Sequence, residues 1–502
     1  DRKQGYPGQD SGSLVLFFIP NLKNSLTALS RLAVLSTVAG FRLVILFLGW
    51  VLKEFDMLNA LQRPQHREWL LEQAEALLAF AGKAKQPLGF AYLDKHGEPD
   101  FSQPTQAWIS CRMTHIYSIG ALMGMEGCRE MAEHGIRSLL DSFQDPQHGG
   151  FFEAINHQPD AAGHAVPTPD GERKTAYAHA FVLLAASSGL IAGIERAGEL
   201  FNAISGVIDR HFWEVGAGKM RESFSRDFGE CEAYRGVNAN MHSVEACLAA
   251  FDAQLSLGVA ANDERAARWL ARANSILGFV LDLAGRHDYR IPEHFDAHWQ
   301  VLWDYNENDK THQFRPYGAT VGHALEWARL ACHALAMNQK YGVDAGEHYA
   351  RDAYGLFRQS LGNWHGDGAA GFVYTTDFQG VPIVRERMHW VLCEAIGAAV
   401  ALDGVNAADA PVGDLGLAEA YVATGLGGEF SYWYEQFIAY ADRYLIEAPG
   451  RWHHQLDTEN LPAEGIWAGK PDIYHAFQAL MLPLLPFGPF ITRAVKISSA
   501  VD

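Results

Sequence analysis

The amino-acid sequence predicts an all-α fold, a closed (α/α)6 barrel with short β-hairpins at the mouth of its cavity. Three observations predict it. About twelve stretches of helical period follow one another from near residue 67 to near residue 485. Six short segments rich in aromatic residues, glycine and aspartate interrupt them at roughly regular intervals. One long helical stretch, Val237 to Phe251, carries both an apolar and a polar stripe. Helices in pairs, repeated six times, bury their apolar faces only against neighbouring pairs, and a ring is the arrangement that leaves no pair exposed.

The helices are expected near 67–82, 104–123, 127–143, 174–190, 194–209, 236–257, 262–284, 319–340, 344–361, 385–403, 415–443 and 472–485. The segments between them are "PLGFAYLDKHGEPD", "DPQHGGFFEAIN", "RHFWEVGAGKMRESFSRDF", "HFDAHWQVLWDYNENDK", "NWHGDGAAGFVYTTDFQGVP" and "DRYLIEAPGRWHHQLD". Aromatic and β-branched residues flank Gly, Asp or Asn in each, the pattern of a short hairpin. The barrel then spans residues 57–486, with 487–502 as a tail.

Residues 1–56 differ. The run "LAVLSTVAGFRLVILFLGWVL" is long enough to cross a bilayer and is broken only by Arg42. A central arginine costs about 2.5–3.5 kcal/mol on insertion scales. Three readings stay open: an extension outside the fold, a membrane anchor, and an integral helix. Without an anchor, no membrane partner is expected.

Composition narrows the function. A net charge of −19 argues against nucleic acid, whose phosphates need concentrated Lys and Arg. The six cysteines are scattered singly with no Cys-x-x-Cys pair, and read as reduced core residues of a cytoplasmic protein. Nucleotide-binding glycine loops, a Gly-x-Ser-x-Gly elbow and a His-Glu-x-x-His zinc motif are all missing. His294 and His298 stand four apart in "EHFDAH", but in a hairpin that spacing is weak grounds for a metal.

The chemistry sits in polar stripes on the helices that would form the inner ring. Val237, Met241, Val244, Leu248 and Phe251 make the packing face of the 236–257 helix, while Asn238, His242 and Glu245 recur at i, i+4 and i+7 on another. An inner helix would pack one face outward and line the cavity with the other. Similar insertions occur at Arg112 and His115, Tyr177 and His179, His323 and Glu326, and at His475 in the first turn of the last helix. That turn, at the positive end of a helix, favours a neutral imidazole. A lone histidine on such a helix is more often a hydrogen-bonded core residue. Convergence from five helices favours a site.

The stretches "YRGVNANMHSVEA", "FRPYGATVGHALEW" and "GKPDIYHAFQAL" resemble the N-acylglucosamine 2-epimerase superfamily, most closely its aldose–ketose isomerase branch. The likeness runs from about Met57 to about Pro486. It implies an (α/α)6 barrel without redox cofactor or catalytic metal, acting on a small-molecule sugar, in a family whose members are often dimers. His323 and His475 match the histidines that carry acid and base work, and His242 matches a third that contacts substrate. Arg112, Tyr177, Asn238 and Glu326 match substrate-binding or supporting residues, with Arg315 a further member. Trp390 in "RMHWVLCEA" stands near where relatives place a tryptophan against the sugar, and Glu394 follows one turn later. The epimerase branches usually carry Arg three residues after the last histidine, where this chain has Gln478. That departure leans toward isomerisation.

The expected reaction interconverts D-mannose and D-fructose through a cis-enediol. His475 would shuttle the proton between C2 and C1 and His323 would open the ring, or the reverse. Glu326 would orient His323, Arg112 and His242 would stabilise enediolate charge, and Trp390, Trp452 and Tyr177 would supply stacking surface. Isomerisation of sulfoquinovose or sugar 2-epimerisation would use the same fold. A glycoside hydrolase built on Glu245 and Glu326, and a non-catalytic sugar-binding protein, are alternatives of other classes.

Overall fold

The computed structural model of the chain describes residues 63–407 and 428–500. The expectations for residues 1–56 lie outside them, as does the first part of the helix expected over 415–443. Thirteen α-helices are described: α1 Pro64–Ala81, α2 Ala107–Leu122, α3 Cys128–Ser138, α4 Ala176–Ala192, α5 Ala197–Val207, α6 Val237–Ser256, α7 Glu264–Arg286, α8 Val321–Tyr341, α9 Tyr349–Leu361, α10 His389–Ala407, α11 Glu429–Tyr440, α12 Tyr474–Met481 and α13 Ile491–Ser498. The even-numbered helices pack on one another in a ring, and each also packs on an odd-numbered one outside it. α12 lies against both α1 and α2, so the two ends of the barrel meet and the ring closes. The fold is an (α/α)6 barrel, as the paired repeats predict.

Position in the ring explains composition. The outer helix α7 buries Ala266, Trp269, Leu270, Ala273, Ile276, Leu277 and Val280, the three- and four-residue steps of a one-sided helix. The inner helices are buried all round, without a break from Ala178 to Gly189 in α4, Ala239 to Gln254 in α6 and Val321 to Leu335 in α8. Small residues let them crowd. Polar groups on such helices have no water to turn to, so each needs a partner or a ligand.

Five two-residue ladders stand at the N-terminal ends of the inner helices. The strand just before an inner helix pairs with the strand that follows its outer partner: β3 Thr105–Gln106 with β4 Ala154–Ile155, β5 Lys174–Thr175 with β8 Ser223–Phe224, β9 Arg235–Gly236 with β10 His294–Phe295, β11 Ala319–Thr320 with β12 Thr375–Thr376, and β14 Arg387–Met388 with β17 Gln455–Leu456. In each repeat the first helical N–H donates to the carbonyl just before the returning strand: Ala107 to Glu153, Ala176 to Glu222, Val237 to Glu293, Val321 to Tyr374 and His389 to His454. The side chains of Glu293, Tyr374 and His454 are thereby carried to equivalent places. An aspartate carboxylate that accepts the N–H groups two and four residues on turns the chain after four of the returning strands, at Asp160, Asp296, Asp377 and Asp457, and Asp94 makes the same turn after Gly89–Phe90. Four of these aspartates, Asp94, Asp296, Asp377 and Asp457, belong to the six segments.

The stretch expected as a tail contains α13, which packs on α2, α4 and α6. Buried Asp252 of α6 accepts the Phe490 N–H at 2.7 Å and the Arg493 guanidinium at 2.7 Å. Replacing Asp252 with alanine strands both donors and is expected to cost about 3 kcal/mol of stability, readable by urea unfolding. Five cysteines are buried as expected, whereas Cys231 is exposed on the loop after β8, and all six are unpaired. Among the described residues no helix is long and apolar enough to cross a membrane.

Candidate active site

The N-terminal ends of the inner helices converge on a cavity whose empty space, open mouth included, is about 600 Å³. Its wall includes Arg112, Tyr177, Asn238, His242, His323, Glu326, Trp390 and His475, eight of the ten residues the sequence singled out. Each lies in the first turns of its helix, and the positive ends of six helices face the same space.

His323 and His475 both pack on the Trp390 ring, at centroid distances of 5.2 and 5.8 Å. A Cβ on Gly322 would fall 2.3 Å from that ring, which explains the glycine of the Gly-His motif. Nδ1 of each histidine is held by a buried carboxylate. Glu394 binds His475 at 2.9 Å, and Glu293 binds His323 at 2.8 Å. Each pairing places the Nδ1 proton toward the carboxylate and leaves Nε2 for the cavity. Burial, then the Arg112 charge, pushes His475 well below the usual imidazole range. That direction favours the neutral imidazole, through desolvation more than through the helix end.

Glu326 does not orient His323, because Glu293 already occupies its Nδ1. Instead Glu326 faces Arg329 at 3.4 Å and His242 Nδ1 at 3.6 Å. The same guanidinium donates to Glu394 at 2.8 Å and lies 3.7 Å from Glu245, which also accepts the Tyr474 hydroxyl. Three carboxylates thus surround one arginine beneath the cavity. Oxygens and nitrogens of His242, Glu245 and Glu326 come within 4.8 Å of one another, a spacing open to a metal, but Arg329 supplies a cation to two of them.

Arg112 donates to Asp472 at 3.1 Å and to the Tyr177 hydroxyl at 3.1 Å, with its guanidinium against the rings of Trp108, Phe181 and Tyr474. Its partner is therefore Asp472, not Glu245 or Glu326. Asn238 donates to the Phe314 carbonyl at 3.3 Å, tying α6 to the loop that brings Gln313, Phe314 and Pro316 to the wall.

Two expected residues stand outside the wall. Arg315 is drawn away by Glu232 at 3.0 Å and lies over the Tyr234 ring at 4.0 Å, so the loop presents Phe314 instead. Trp452 is buried in the β15 Ile446–Ala448 and β16 Arg451–Trp452 hairpin, and its neighbour but one, His454, takes the wall position. His115 and His179 are core histidines bonded to Ser188 and to the Thr175 carbonyl. His294 is held by Tyr234 and the Pro316 carbonyl, and His298 is exposed, which removes any pairing for a metal.

Sequence reasoning missed Glu293, Tyr374, His389, Trp467 and Asp472 as site residues. Glu293 and Tyr374 sit in loop segments, where no helical period marks a face. Their signal was the repeat itself, since each occupies the place just before a returning strand. His389 opens α10 where the other ladders open on Ala or Val, and stacks on His454 at 3.8 Å. Gln478, three residues after His475 on α12, is buried, and neither of its amide atoms is hydrogen-bonded among the described residues.

Residues 89–479 match the model of the N-acylglucosamine 2-epimerase (GlcNAc 2-epimerase) family. The chain is 42% identical over 438 residues to a D-mannose isomerase of Thermobifida fusca, covering 86% of this chain and 98% of that one. It is 39% identical over 438 residues to a D-mannose isomerase of Pseudomonas cannabina pv. alisalensis, covering 87% and 96%. A crystal structure of a D-mannose isomerase superposes with a TM-score of 0.69 over 83% of this chain and 97% of that chain, at 24% identity. Family match, ring closure and cavity agree: the chain belongs to the N-acylglucosamine 2-epimerase family.

Proposed function

We propose that the protein is an aldose–ketose isomerase that interconverts D-mannose and D-fructose through a cis-enediol. The observation that carries this is the pair of buried imidazoles, His323 and His475, each oriented by its own carboxylate and both against one tryptophan. The two D-mannose isomerases that align over nearly their whole length support the substrate.

The chemistry requires ring opening, removal of the C2 proton and its return to C1. His475, neutral and desolvated, is the better base for carbon, and its single orientation lets one nitrogen serve both carbons in turn. His323 handles the ring oxygen and the hydroxyl protons, with Glu293 beneath it stabilising the imidazolium that forms. Tyr177, Asn238 and Trp390 position the sugar, and Arg112, already neutralised by Asp472, fixes the wall more than it supplies net charge. No step calls for a metal or a redox group.

Glu293→Gln is expected to lower kcat about 10²-fold with KM within a few-fold, because the amide cannot stabilise an imidazolium. Steady-state kinetics check it. The hydrolase alternative needs carboxylates about 5 Å or more apart across a scissile bond. Glu245 and Glu326 are closer and share Arg329. Six unpaired cysteines suit a reducing compartment, and we place the enzyme in the cytoplasm.

The substrate is tested by incubating the full chain separately with D-mannose, D-glucose, cellobiose and sulfoquinovose. Conversion of mannose to fructose is expected. Turnover of another sugar with mannose untouched would overturn the substrate while keeping the chemistry.

A further inference from the structure

The carboxylates under the cavity outnumber the cations that hold them, and this sets the state of Glu326. Every element packed around it contributes: Glu245 and His242 from α6, Arg329 from its own helix α8, Glu394 from α10, Tyr474 and His475 from α12, Arg112 from α2 and Tyr177 from α4. All are buried or at the edge of burial. Arg112 is committed to Asp472. Among the described residues, Arg329 is then the cation that remains for three carboxylates.

The hydrogen bonds rank the three. Glu394 receives Arg329 Nε at 2.8 Å and sits 2.9 Å from His475 Nδ1. Glu245 accepts the Tyr474 hydroxyl at Oε2, which also has His242 Nδ1 at 3.5 Å, although its Oε1, like one oxygen of Glu326, is buried without a hydrogen bond among the described residues. Glu326 accepts one long hydrogen bond from Arg329 at 3.4 Å and faces His242 Nδ1 at 3.6 Å, both at Oε1, and its Oε2 is buried without a partner among the described residues. A desolvated carboxylate with an orphaned oxygen is costly, whereas a carboxylic acid there needs only an acceptor. Glu326 lines the cavity, so that acceptor is an oxygen of the bound sugar.

We propose that Glu326 is a neutral carboxylic acid that donates a hydrogen bond to the enediolate oxygen, forming the oxyanion hole of this isomerase. The inference rests on the isomerase reading. A carboxylic acid kept neutral by its surroundings to stabilise an enolate has a physical precedent in ketosteroid isomerase. Burial, reinforced by the neighbouring Glu394 and Glu245 charges, holds Glu326 well above the ordinary carboxyl range. No bond to carbon forms or breaks at Glu326, and its proton stays with it. The donor matters most when charge develops, so it acts on kcat more than on KM.

Two variants and one spectrum test this. Glu326→Gln keeps a neutral N–H donor of nearly the same shape and should reduce kcat by no more than about tenfold, while Glu326→Ala should reduce it about 10²–10³-fold. KM should stay within a few-fold in both. Gln and Ala variants equally impaired would overturn the proposal, since that is the result for an ionised Glu326. Infrared difference spectra of the full chain with 13C-labelled glutamate, wild type minus Glu326→Gln and without substrate, should show the loss of a carboxylic-acid C=O band. Loss of a carboxylate band instead would overturn it even if Glu326→Ala fails to fold. The infrared arm is independent of the sugar, so a failed substrate assignment and a failed assignment of this proton give different results.

Discussion

His475→Ala is expected to lower kcat about 10³–10⁴-fold while the thermal transition and circular dichroism change little. His475 is the imidazole that burial pushes toward the neutral form and that Glu394 orients through Nδ1, so the substitution removes the proposed base for the C2 proton. The stability cost is modest. Glu394 loses one of its two charged or polar partners but keeps Arg329 at 2.8 Å, which bounds the loss at about 1–3 kcal/mol. His323→Ala should also be severely impaired, and the two differ in exchange: only the variant that retains the carbon base should still wash the C2 proton into solvent. Near-normal turnover in His475→Ala would remove that residue from the chemistry.

The second large effect falls on stability. Arg329→Met leaves Glu245, Glu326 and Glu394 buried without their shared cation, and breaking such a cluster is expected to cost about 3–5 kcal/mol. The loss should depend on pH, with a sign that follows from the carboxyls. Without Arg329 all three folded pKa values rise: Glu326 and Glu394, which burial already holds above the ordinary range, go further, and Glu245, now held below it, moves upward. Groups raised in this way stabilise the fold below the unfolded pKa and lose that contribution as pH rises through the folded one. Urea unfolding at pH 5 and pH 8 should therefore show a larger deficit at pH 8. A variant as stable as the parent at pH 8 would mean that the three carboxylates carry less charge than the hydrogen bonds imply.

How far the sequence was legible depended on whether a residue sat on a helix. The stripe Asn238, His242 and Glu245 is visible because a helix repeats every 3.6 residues, and polar groups on a helix buried all round stand out from it. The structure adds that the stripe has depth: Asn238 and His242 reach the wall, while Glu245 lies one turn below, bound to Tyr474. Loop residues give no such signal. Glu293 and Tyr374 reach the site through the ladder repeat, and the local sequence around them reads only as a hairpin. Arg315 was drawn to the site by its neighbourhood in sequence, but Glu232, 83 residues away, holds it elsewhere. Glu326 sits one turn from His323 as expected, and long-range packing decides that its neighbours are Arg329 and His242.

The cis-enediol is tested most directly by proton NMR of D-mannose turned over in D2O. A single base that carries the C2 proton to C1 exchanges it with solvent in competition with transfer. The account predicts fructose with deuterium at C1 in a fraction of molecules, the remainder carrying the original C2 proton, and loss of both products in His475→Ala. Fructose that never acquires solvent deuterium at C1, under any extent of turnover, would indicate direct hydride transfer between the carbons and would contradict the enediol.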